Sequence, residues 1–358
     1  MKILIDIGHP GHVHLFRPFA EKMLSKGHKV LFTCREKEFE KELLKAANFN
    51  YVSFGKKYAS LPGKVLGLFK FNFLELLTAI KFKPDIFFSH GSPYAAQTSW
   101  LLRKPHISME DTFNFEQVRL YKPFSKVILT STYDHPDLGE KNLHYSGYHE
   151  LAYLHPSVFK PDISVLRELG IKQNEKFVIL RFVSWNATHD VGHKGISLKN
   201  KIAAVKKLSA VAKVFISSES RLPSELESYK FPLAPEKMHD ALSFASLLYG
   251  ESATMATESA VLGVPAIYLY DKNIPYAKDI EKKYGLIFNF SESEKDQEIS
   301  IYKAIEILQI PKKSWEEKRK NLLDNTINVT EFLVWFIENY PESKTTLEKD
   351  PGYQLKFK

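Results

Sequence analysis

Cysteine is almost absent from this sequence of 358 residues. Cys34 is the single cysteine, which excludes an internal disulfide and is typical of a chain in the reducing cytoplasm. Long apolar runs are also missing, since Lys, Asp or Pro interrupts each run well before the roughly 18 residues that a transmembrane helix needs. Asp6 and a loop of glycines and histidines follow the first apolar stretch so closely that we expect a strand there, and not a signal peptide.

Arginine-rich stripes and nucleic-acid-binding motifs are absent as well. The formal net charge is +8 and the pI is near 9.1, but the lysines are scattered, so we expect no nucleic-acid partner. Hydrophobic residues make up 44% of the chain, as in ordinary globular proteins. A chain of this length is expected to form two domains of about 150 to 180 residues each.

Short apolar segments alternate with longer amphipathic segments along the chain. This alternation predicts an α/β protein with parallel sheets and crossover helices. The rhythm is interrupted at residues 145–149, around Gly147, and two prolines follow, so we place a hinge between two domains there. The predicted strands include 2–7, 29–34, 85–89, 126–130, 177–182, 211–217 and 247–249, and the predicted helices include 15–26, 37–47 and 199–208.

The segment 238–269 carries the most specific pattern in the chain. It predicts a helix, a short buried strand and a turn of small residues that opens a second helix. Such a helix start offers free backbone N–H groups and the positive end of the helix dipole, which suit a phosphate. Farther along that helix, a carboxylate can accept hydrogen bonds from a ribose. The residues predicted to bind a nucleotide sugar here are Met238, Gly250, Glu251, Ser252, Ala253, Thr254 and Glu258.

This segment resembles the C-terminal signature of GT-B enzymes, in particular the non-hydrolysing UDP-N-acetylglucosamine 2-epimerases and the peptidoglycan N-acetylglucosaminyltransferase. In those families an acid-Ser or Arg-Ser turn precedes a Glu by a few residues, and a Leu-Gly-x-Pro step follows. Over residues 1–335 the chain also resembles a GT-B-like family known only as a domain of unknown function. The residues that match the C-terminal signature of GT-B enzymes are Glu251, Ser252, Glu258, Leu262, Gly263, Val264 and Pro265.

The resemblance implies a GT-B architecture, in which two Rossmann-like parallel-sheet domains face a central cleft. It implies an N-terminal acceptor domain over residues 1–147 and a C-terminal nucleotide-sugar domain over residues 148–335. Residues 336–358 are polar and contain two prolines, so we expect a loosely held C-terminal extension.

Gly8 and Gly11 lie in the loop that follows the first predicted strand. They permit a tight turn before the next helix, and the loop resembles the N-terminal glycine loop of GT-B enzymes, which implies a place in the substrate site. A simple turn between strand and helix is the alternative. His9, His12 and His14 are close in sequence but lack a cysteine or a paired carboxylate cluster, so we expect no metal and no tightly bound cofactor.

Two later strands also end in polar residues, as the strands of α/β enzymes do at their sites. The matching positions of the epimerases read His-Gly-Asp and Val-Glu-Ala-Gly, and their Asp and Glu carry acid-base work. This chain has Glu110 for the Glu but Ser92 in place of the Asp, so epimerisation lacks one carboxylate unless Asp111 replaces it. A loop carboxylate with no catalytic role is the alternative for Glu110.

Arg181, Ser184 and His189 follow the first predicted strand of the second domain. The corresponding loop of GT-B enzymes contacts the diphosphate, although neither of that loop's two family patterns is present here. Arg181 supplies a fixed positive charge, Ser184 a hydroxyl donor and His189 a titratable donor. Arg181 paired with a structural acid is the alternative.

The residues and the resemblance together predict a cytoplasmic glycosyltransferase of surface-polysaccharide or glycolipid synthesis. Its donor would be a nucleotide-diphosphate sugar, most simply a UDP-sugar, and its acceptor a glycan or a lipid-linked molecule. His12 or Glu110 would act as the general base. An epimerase that uses Glu110, Asp111 and His189 and a non-catalytic nucleotide-sugar binding protein are the two alternatives.

Residues 56–83 combine many leucines and phenylalanines with six lysines and a single acid, Glu75. If part of this apolar surface is exposed, it would hold the protein at an anionic membrane and bring a lipid-linked acceptor within reach. The alternative is a buried crossover helix with solvated lysines.

Overall fold

A computed structural model describes residues 1–36, 39–58, 61–172, 174–183, 195–271 and 274–358. The chain divides into two compact units, which we call unit 1 (Met1–Val158 together with Thr326–Lys358) and unit 2 (Phe159–Asn325). The predicted boundary after residue 147 is therefore too early. It also missed the return of the chain to unit 1 after Asn325.

Unit 1 contains a parallel sheet of seven strands among its described residues. In chain order they are β1 (Lys2–Ile7), β2 (Lys29–Glu36), β3 (Tyr51–Lys56), β4 (Ile86–His90), β5 (His106–Met109), β6 (Val127–Ser131) and β7 (Asn142–Tyr145). Their order across the sheet is β3-β2-β1-β4-β5-β6-β7. All residues of β4, β5 and β6 are buried, as expected of parallel strands covered on both faces.

Unit 2 contains a parallel sheet of five strands among its described residues. They are β8 (Phe177–Phe182), β9 (Lys213–Ser218), β10 (Leu247–Gly250), β11 (Ala266–Leu269) and β12 (Ile287–Phe290). Their order is β12-β11-β10-β8-β9, so the chain order reverses between β8 and β10. Such a reversal is where open α/β sheets bind ligands.

The helices connect these strands as crossovers. Six of them begin at a Ser or Asn whose side chain accepts a hydrogen bond from the first turn, which explains why the chain starts a helix at these points. No helix in the described part of the chain is long and apolar enough to cross a membrane. The α-helices are α1 (Pro10–Ser25), α2 (Glu40–Ala46), α3 (Leu61–Phe82), α4 (Pro93–Leu101), α5 (Phe115–Tyr121), α6 (Leu151–Leu154), α7 (Ser164–Glu168), α8 (Leu198–Ser209), α9 (Met238–Phe244), α10 (Ala253–Leu262), α11 (Pro275–Tyr284), α12 (Glu294–Gln309), α13 (Lys312–Asp324), α14 (Val329–Glu338) and α15 (Glu342–Lys349).

The C-terminal residues are an integral part of unit 1, so the prediction of a loosely held extension is wrong. Trp335 of α14 packs against Tyr353 and Phe357, with ring centroids 5.0 and 5.4 Å away. The predicted hinge between domains at residues 145–149 is wrong as well, because these residues lie inside unit 1 and not at the boundary between the units. A Cβ added to Gly147 would lie only 3.0 Å from Cγ2 of Val329.

Gln354 fastens the C-terminal residues to the edge strand of the sheet. Its side-chain oxygen accepts from the backbone N–H of Ser146 at 2.6 Å, and its amide donates to the carbonyl of His144 at 3.3 Å. We expect Gln354→Ala to lower the free energy of unfolding by about 1 to 3 kcal/mol, because it leaves two partly buried backbone groups without these hydrogen bonds. Urea denaturation measures this loss. The exposed Gln309→Ala serves as the control, and equal midpoints for the two variants would contradict the role of Gln354.

Candidate functional site

Four titratable side chains of unit 1 meet at the carboxyl end of its sheet. His12 lies in the first turn of α1, just after β1, and His90 is the last residue of β4. Asp111 follows β5, and His149 follows β7. Because β1, β4 and β5 are neighbours in the sheet, residues far apart in sequence lie together. We call His12, His90, Asp111 and His149 the histidine cluster.

Asp111 links two of the histidines. Its Oδ1 lies 2.9 Å from Nε2 of His90, and its Oδ2 lies 3.5 Å from Nδ1 of His149. The ring of His90 is in turn 4.6 Å from the ring of His12 and 5.2 Å from that of His149. His90 and His149 are more than 90% buried. The cluster is therefore a desolvated group in which each charge acts strongly on the next.

The cluster holds one stable ion pair. Burial alone would lower the pKa of His90, but the charge of Asp111 and the hydrogen bond to it outweigh burial and raise that pKa to about 9. Burial works against ionisation of Asp111 too, yet His149 and His90 hold its pKa well below the usual range. At neutral pH, His90 is therefore a cation and Asp111 an anion.

His149 is the neutral partner of this ion pair. Burial, its largest influence, lowers its pKa to about 4 although Asp111 opposes this change. Its Nδ1 faces Asp111 and lies 3.2 Å from the hydroxyl of Tyr145. Its Nε2 is buried and has no hydrogen-bond partner among the described residues. With the proton on Nδ1, His149 presents a lone pair on Nε2, as a general base requires.

His12 has the opposite geometry. Its Nδ1 accepts a hydrogen bond from the backbone N–H of Gly8 at 3.3 Å. Burial, reinforced by the nearby His90, lowers its pKa well below the usual value, so the ring is neutral. The single ring proton must then lie on Nε2, which can donate but cannot accept. The predicted role of His12 as the general base fits this arrangement less well than a role as a donor.

The N-terminal glycine loop closes on itself. The N–H of Gly8 donates to Nδ1 of His12, and the N–H of Gly11 donates to Nδ1 of His9 at 3.1 Å. These two amides are therefore engaged within the protein. Their arrangement corresponds to the simple turn that the sequence left open as an alternative.

Glu110 stabilises the loop after β5. Its carboxylate is buried and accepts five hydrogen bonds, four on Oε1 and one on Oε2. This is the loop carboxylate that the sequence left open as an alternative, and it orients the neighbouring Asp111. The donors are the backbone N–H groups of Asp111, Thr112 and Phe113 and the hydroxyls of Thr112 and Tyr121.

Ser92 has a clear physical reason to be a serine. Its hydroxyl donates to Oδ2 of Asp6, which is fully buried and pairs through Oδ1 with Arg35 at 2.6 Å. A carboxylate at position 92 would bring a second negative charge against buried Asp6.

His90, Asp111 and His149 are also the residues that could hold a metal ion. One ligand atom from each lies within 4.8 Å of the other two, and histidine nitrogens with a carboxylate suit a transition metal. None of the histidines considered from the sequence, His9, His12 and His14, is in this group. The expected absence of a metal stays a prediction.

In unit 2, the predicted turn leads from β10 into α10. Gly250 is required by close packing, because an added Cβ would lie 2.1 Å from the carbonyl oxygen of Arg181. Ser252 begins the helix, and its hydroxyl accepts from the N–H of Met255 at 3.3 Å. Ala253 and Thr254 form the first turn, with Thr254 exposed. An anion at this helix start would meet free N–H groups and the positive end of the helix dipole.

Glu251 has a structural role that the sequence did not reveal. Its buried carboxylate accepts from the backbone N–H of Val183 at 3.0 Å and from that of Ile196 at 2.5 Å. It therefore holds in place the backbone at Val183, just after β8, and at Ile196, just before α8. The predictions for Ser184 and His189 lie outside the described residues.

Arg181 is paired within unit 2. Its guanidinium donates to the hydroxyl of Ser217 at 2.9 Å and forms an ion pair with Glu219. This is the structural ion pair that the sequence left open as an alternative.

Glu258 meets a partner from the neighbouring helix. Its Oε1 lies 2.9 Å from Nε2 of His239, the residue after Met238 in α9. Burial would lower the pKa of His239, but Glu258 outweighs burial and raises it. At the end of α10, Gly263 adopts φ +84°, which favours glycine and lets the chain turn into β11 through the Leu-Gly-x-Pro step.

The sequence interpretation missed three members of these sites, namely His90, His149 and His239. His149 belongs to the predicted hinge at residues 145–149, and His90 comes directly after the predicted strand 85–89. No local pattern singles out either residue, because their proximity depends on which strands are neighbours.

Comparisons with known proteins agree with this architecture. A family model described as "Protein of unknown function (DUF354)" matches residues 1–291. The uncharacterized protein MJ0665 of Methanocaldococcus jannaschii is 25% identical over 293 residues, which cover 76% of this chain and 83% of that protein. The UDP-GlcNAc 2-epimerase of Neisseria meningitidis, solved with UDP-GlcNAc bound, has a TM-score of 0.68 at 16% identity and covers 94% of this chain and 99% of its own.

MurG of Acinetobacter baumannii is similar as well, with a TM-score of 0.61 at 16% identity over 94% of this chain and 99% of its own. Other glycosyltransferases are among the similar structures. At these identities the likeness shows the fold. The predicted fold class, an α/β protein with two parallel sheets of the GT-B type, is therefore confirmed, as is the resemblance to epimerases and glycosyltransferases.

Proposed function

Because this chain belongs to the DUF354 family, whose function is unknown, we propose an activity from its own residues: transfer of a sugar from a nucleoside-diphosphate sugar to an acceptor hydroxyl. The observation that carries the proposal is the buried Nε2 of His149, held beside Asp111 with a lone pair and no hydrogen-bond partner in the described part of the chain. The fold is shared with an enzyme that binds a nucleotide sugar. We therefore assign to this base a reaction on a nucleotide sugar.

Unit 2 supplies the nucleotide site in this proposal. The start of α10, from Ser252 to Thr254, binds the diphosphate through backbone N–H groups and the helix dipole. Glu258 accepts hydrogen bonds from the ribose while His239 keeps it ionised and oriented. UDP is the first nucleotide to test, because one similar structure was solved with UDP and another with UDP-GlcNAc.

Unit 1 supplies the proton transfer. Nε2 of His149 takes the proton from the acceptor hydroxyl as that oxygen attacks the anomeric carbon. The bond from the anomeric carbon to the diphosphate breaks, and the nucleoside diphosphate leaves with the electron pair. The imidazolium that forms on His149 is stabilised by Asp111, which acts here as a positioning residue. His12 donates a hydrogen bond through Nε2 to the sugar or the acceptor.

Epimerisation is the second candidate, and one observation favours it. His90 is protonated and His149 is neutral although both contact Asp111. His90 can therefore serve as an acid and His149 as a base in the same site. Such a pair can remove a proton from a sugar carbon and return one. Ser92, in place of the epimerase carboxylate, is the argument against it.

Incubation with UDP-N-acetylglucosamine in heavy water separates these candidates. For the transferase we expect slow release of UDP without an acceptor and no deuterium at C2 of the sugar, measured by proton NMR. Deuterium at C2 would identify the epimerase and overturn the transferase. Binding without turnover, in the presence of a panel of glycan and lipid-linked acceptors, would overturn both and leave a binding protein.

A further inference from the structure

The longest helix of unit 1 exposes a continuous apolar face. Helix α3 has 22 residues, and six of its large hydrophobic residues are between 48 and 71% exposed. At 100° per residue they fall within an arc of about 120°. Phe71, Glu75 and Ala79 lie on the opposite side and are buried. We call the exposed residues the α3 apolar face: Val65, Leu66, Phe69, Phe73, Leu77 and Ile80.

The neighbouring helices carry further exposed hydrophobic residues. Asn72 of α3 donates to Gln97 of α4 at 2.8 Å, and Gln97 donates to a carbonyl of α5 at 3.1 Å, so the three helices form one layer. A monomeric protein rarely leaves so many large apolar side chains uncovered on one layer. The additional residues, each at least 41% exposed, are Trp100, Leu101, Phe115 and Leu120.

The charges of this layer have almost one sign. Exposed basic residues occur in each of the ranges 61–83, 93–104 and 115–122, which contain the three helices. Among the described residues of these ranges, Glu116 is the only exposed acidic residue. Glu75, the acid noted in the sequence, is fully buried. The basic residues are Lys70, Lys81, Lys83, Arg103, Lys104 and Arg119.

We propose that this layer of unit 1 docks on an anionic lipid surface, with the α3 apolar face inserted among the acyl chains. Phe69, Phe73 and Trp100 are side chains suited to the membrane interface, and the basic residues around them meet the lipid phosphates. A second copy of the chain is the less suitable occupant, because it would bring two basic surfaces together. The surface does not depend on the proposed transferase activity, since docking requires no substrate.

Flotation of the whole protein with lipid vesicles tests this proposal. We expect it to float with vesicles that contain phosphatidylglycerol and not with pure phosphatidylcholine, and to be released as salt is raised. Lys70→Glu together with Lys81→Glu should reduce the floated fraction about tenfold or more. Phe69→Ser together with Phe73→Ser should reduce it as strongly and leave the melting temperature nearly unchanged, because both side chains are exposed.

Ile163→Ser is the matched control, since Ile163 is a similarly exposed apolar residue of unit 2. It should float like the unchanged protein. Equal flotation with neutral and anionic vesicles, or none with either, would overturn the proposal. So would light scattering that shows a dimer in solution which the two serine substitutions dissociate, because the face would then belong to a second copy. None of these results bears on the D₂O experiment, so the two proposals fail separately.

Discussion

Replacing His149 with alanine should lower the turnover number by a factor of about 10² to 10⁴, the usual contribution of a positioned general base. The physical reason is that Nε2 of His149 carries a lone pair with no hydrogen-bond partner among the described residues. Steady-state kinetics with the donor and acceptor identified in the heavy-water and acceptor experiments provides the measurement. Nucleotide affinity should stay the same, because the nucleotide residues belong to unit 2.

His144→Ala is the control for this prediction. His144 is an exposed histidine at the end of the same sheet, and it bonds to Thr130 rather than to the histidine cluster. It should keep nearly full activity. A His149 variant that turns over at the normal rate would remove His149 from the mechanism, whereas equal losses for both variants would indicate a general effect on the sheet edge.

Glu258→Ala should weaken the binding of UDP about a hundredfold or more. Two hydrogen bonds from a ribose to a charged group are lost, each worth roughly 1.5 to 3 kcal/mol, and His239 loses the partner that keeps it in place. Calorimetric titration gives the dissociation constants. Glu316→Ala, an exposed glutamate of α13, is the matched control. An unchanged dissociation constant for Glu258→Ala would remove this residue from the ribose site.

Much of the architecture could be predicted because its signals are local. The predicted strand 2–7 is β1, and the predicted helix 199–208 lies within α8. The Leu-Gly-x-Pro step ends α10 at Gly263 with a left-handed glycine, as its residues require. Apolar alternation and helix-ending residues depend on neighbours in sequence, so the chain alone is enough to read them.

The histidine cluster could not be predicted, because it depends on which strands are neighbours. Asp111 and His149 follow different strands of one sheet, and no local pattern connects them. The choice between Glu110 and Asp111 was also beyond the sequence. The two are adjacent, but the loop turns one carboxylate toward backbone N–H groups and the other toward His90.

The C-terminal residues show a different limit. Their polar composition predicted a loose extension, yet two aromatic rings among them, those of Tyr353 and Phe357, pack against Trp335 of α14 and decide their position. The average composition of a segment does not show such residues. A few ring contacts can fix a segment to the protein although most of its residues are charged or polar.

The central claim, that this protein uses a nucleoside-diphosphate sugar, is tested most directly by calorimetric titration of the whole unchanged protein with UDP, dTDP and GDP. We expect one nucleotide to bind at a single site per chain, with an affinity that falls when Glu258 is replaced. Absence of binding by all three nucleotides, at protein and ligand concentrations that would detect a millimolar dissociation constant, would contradict the account.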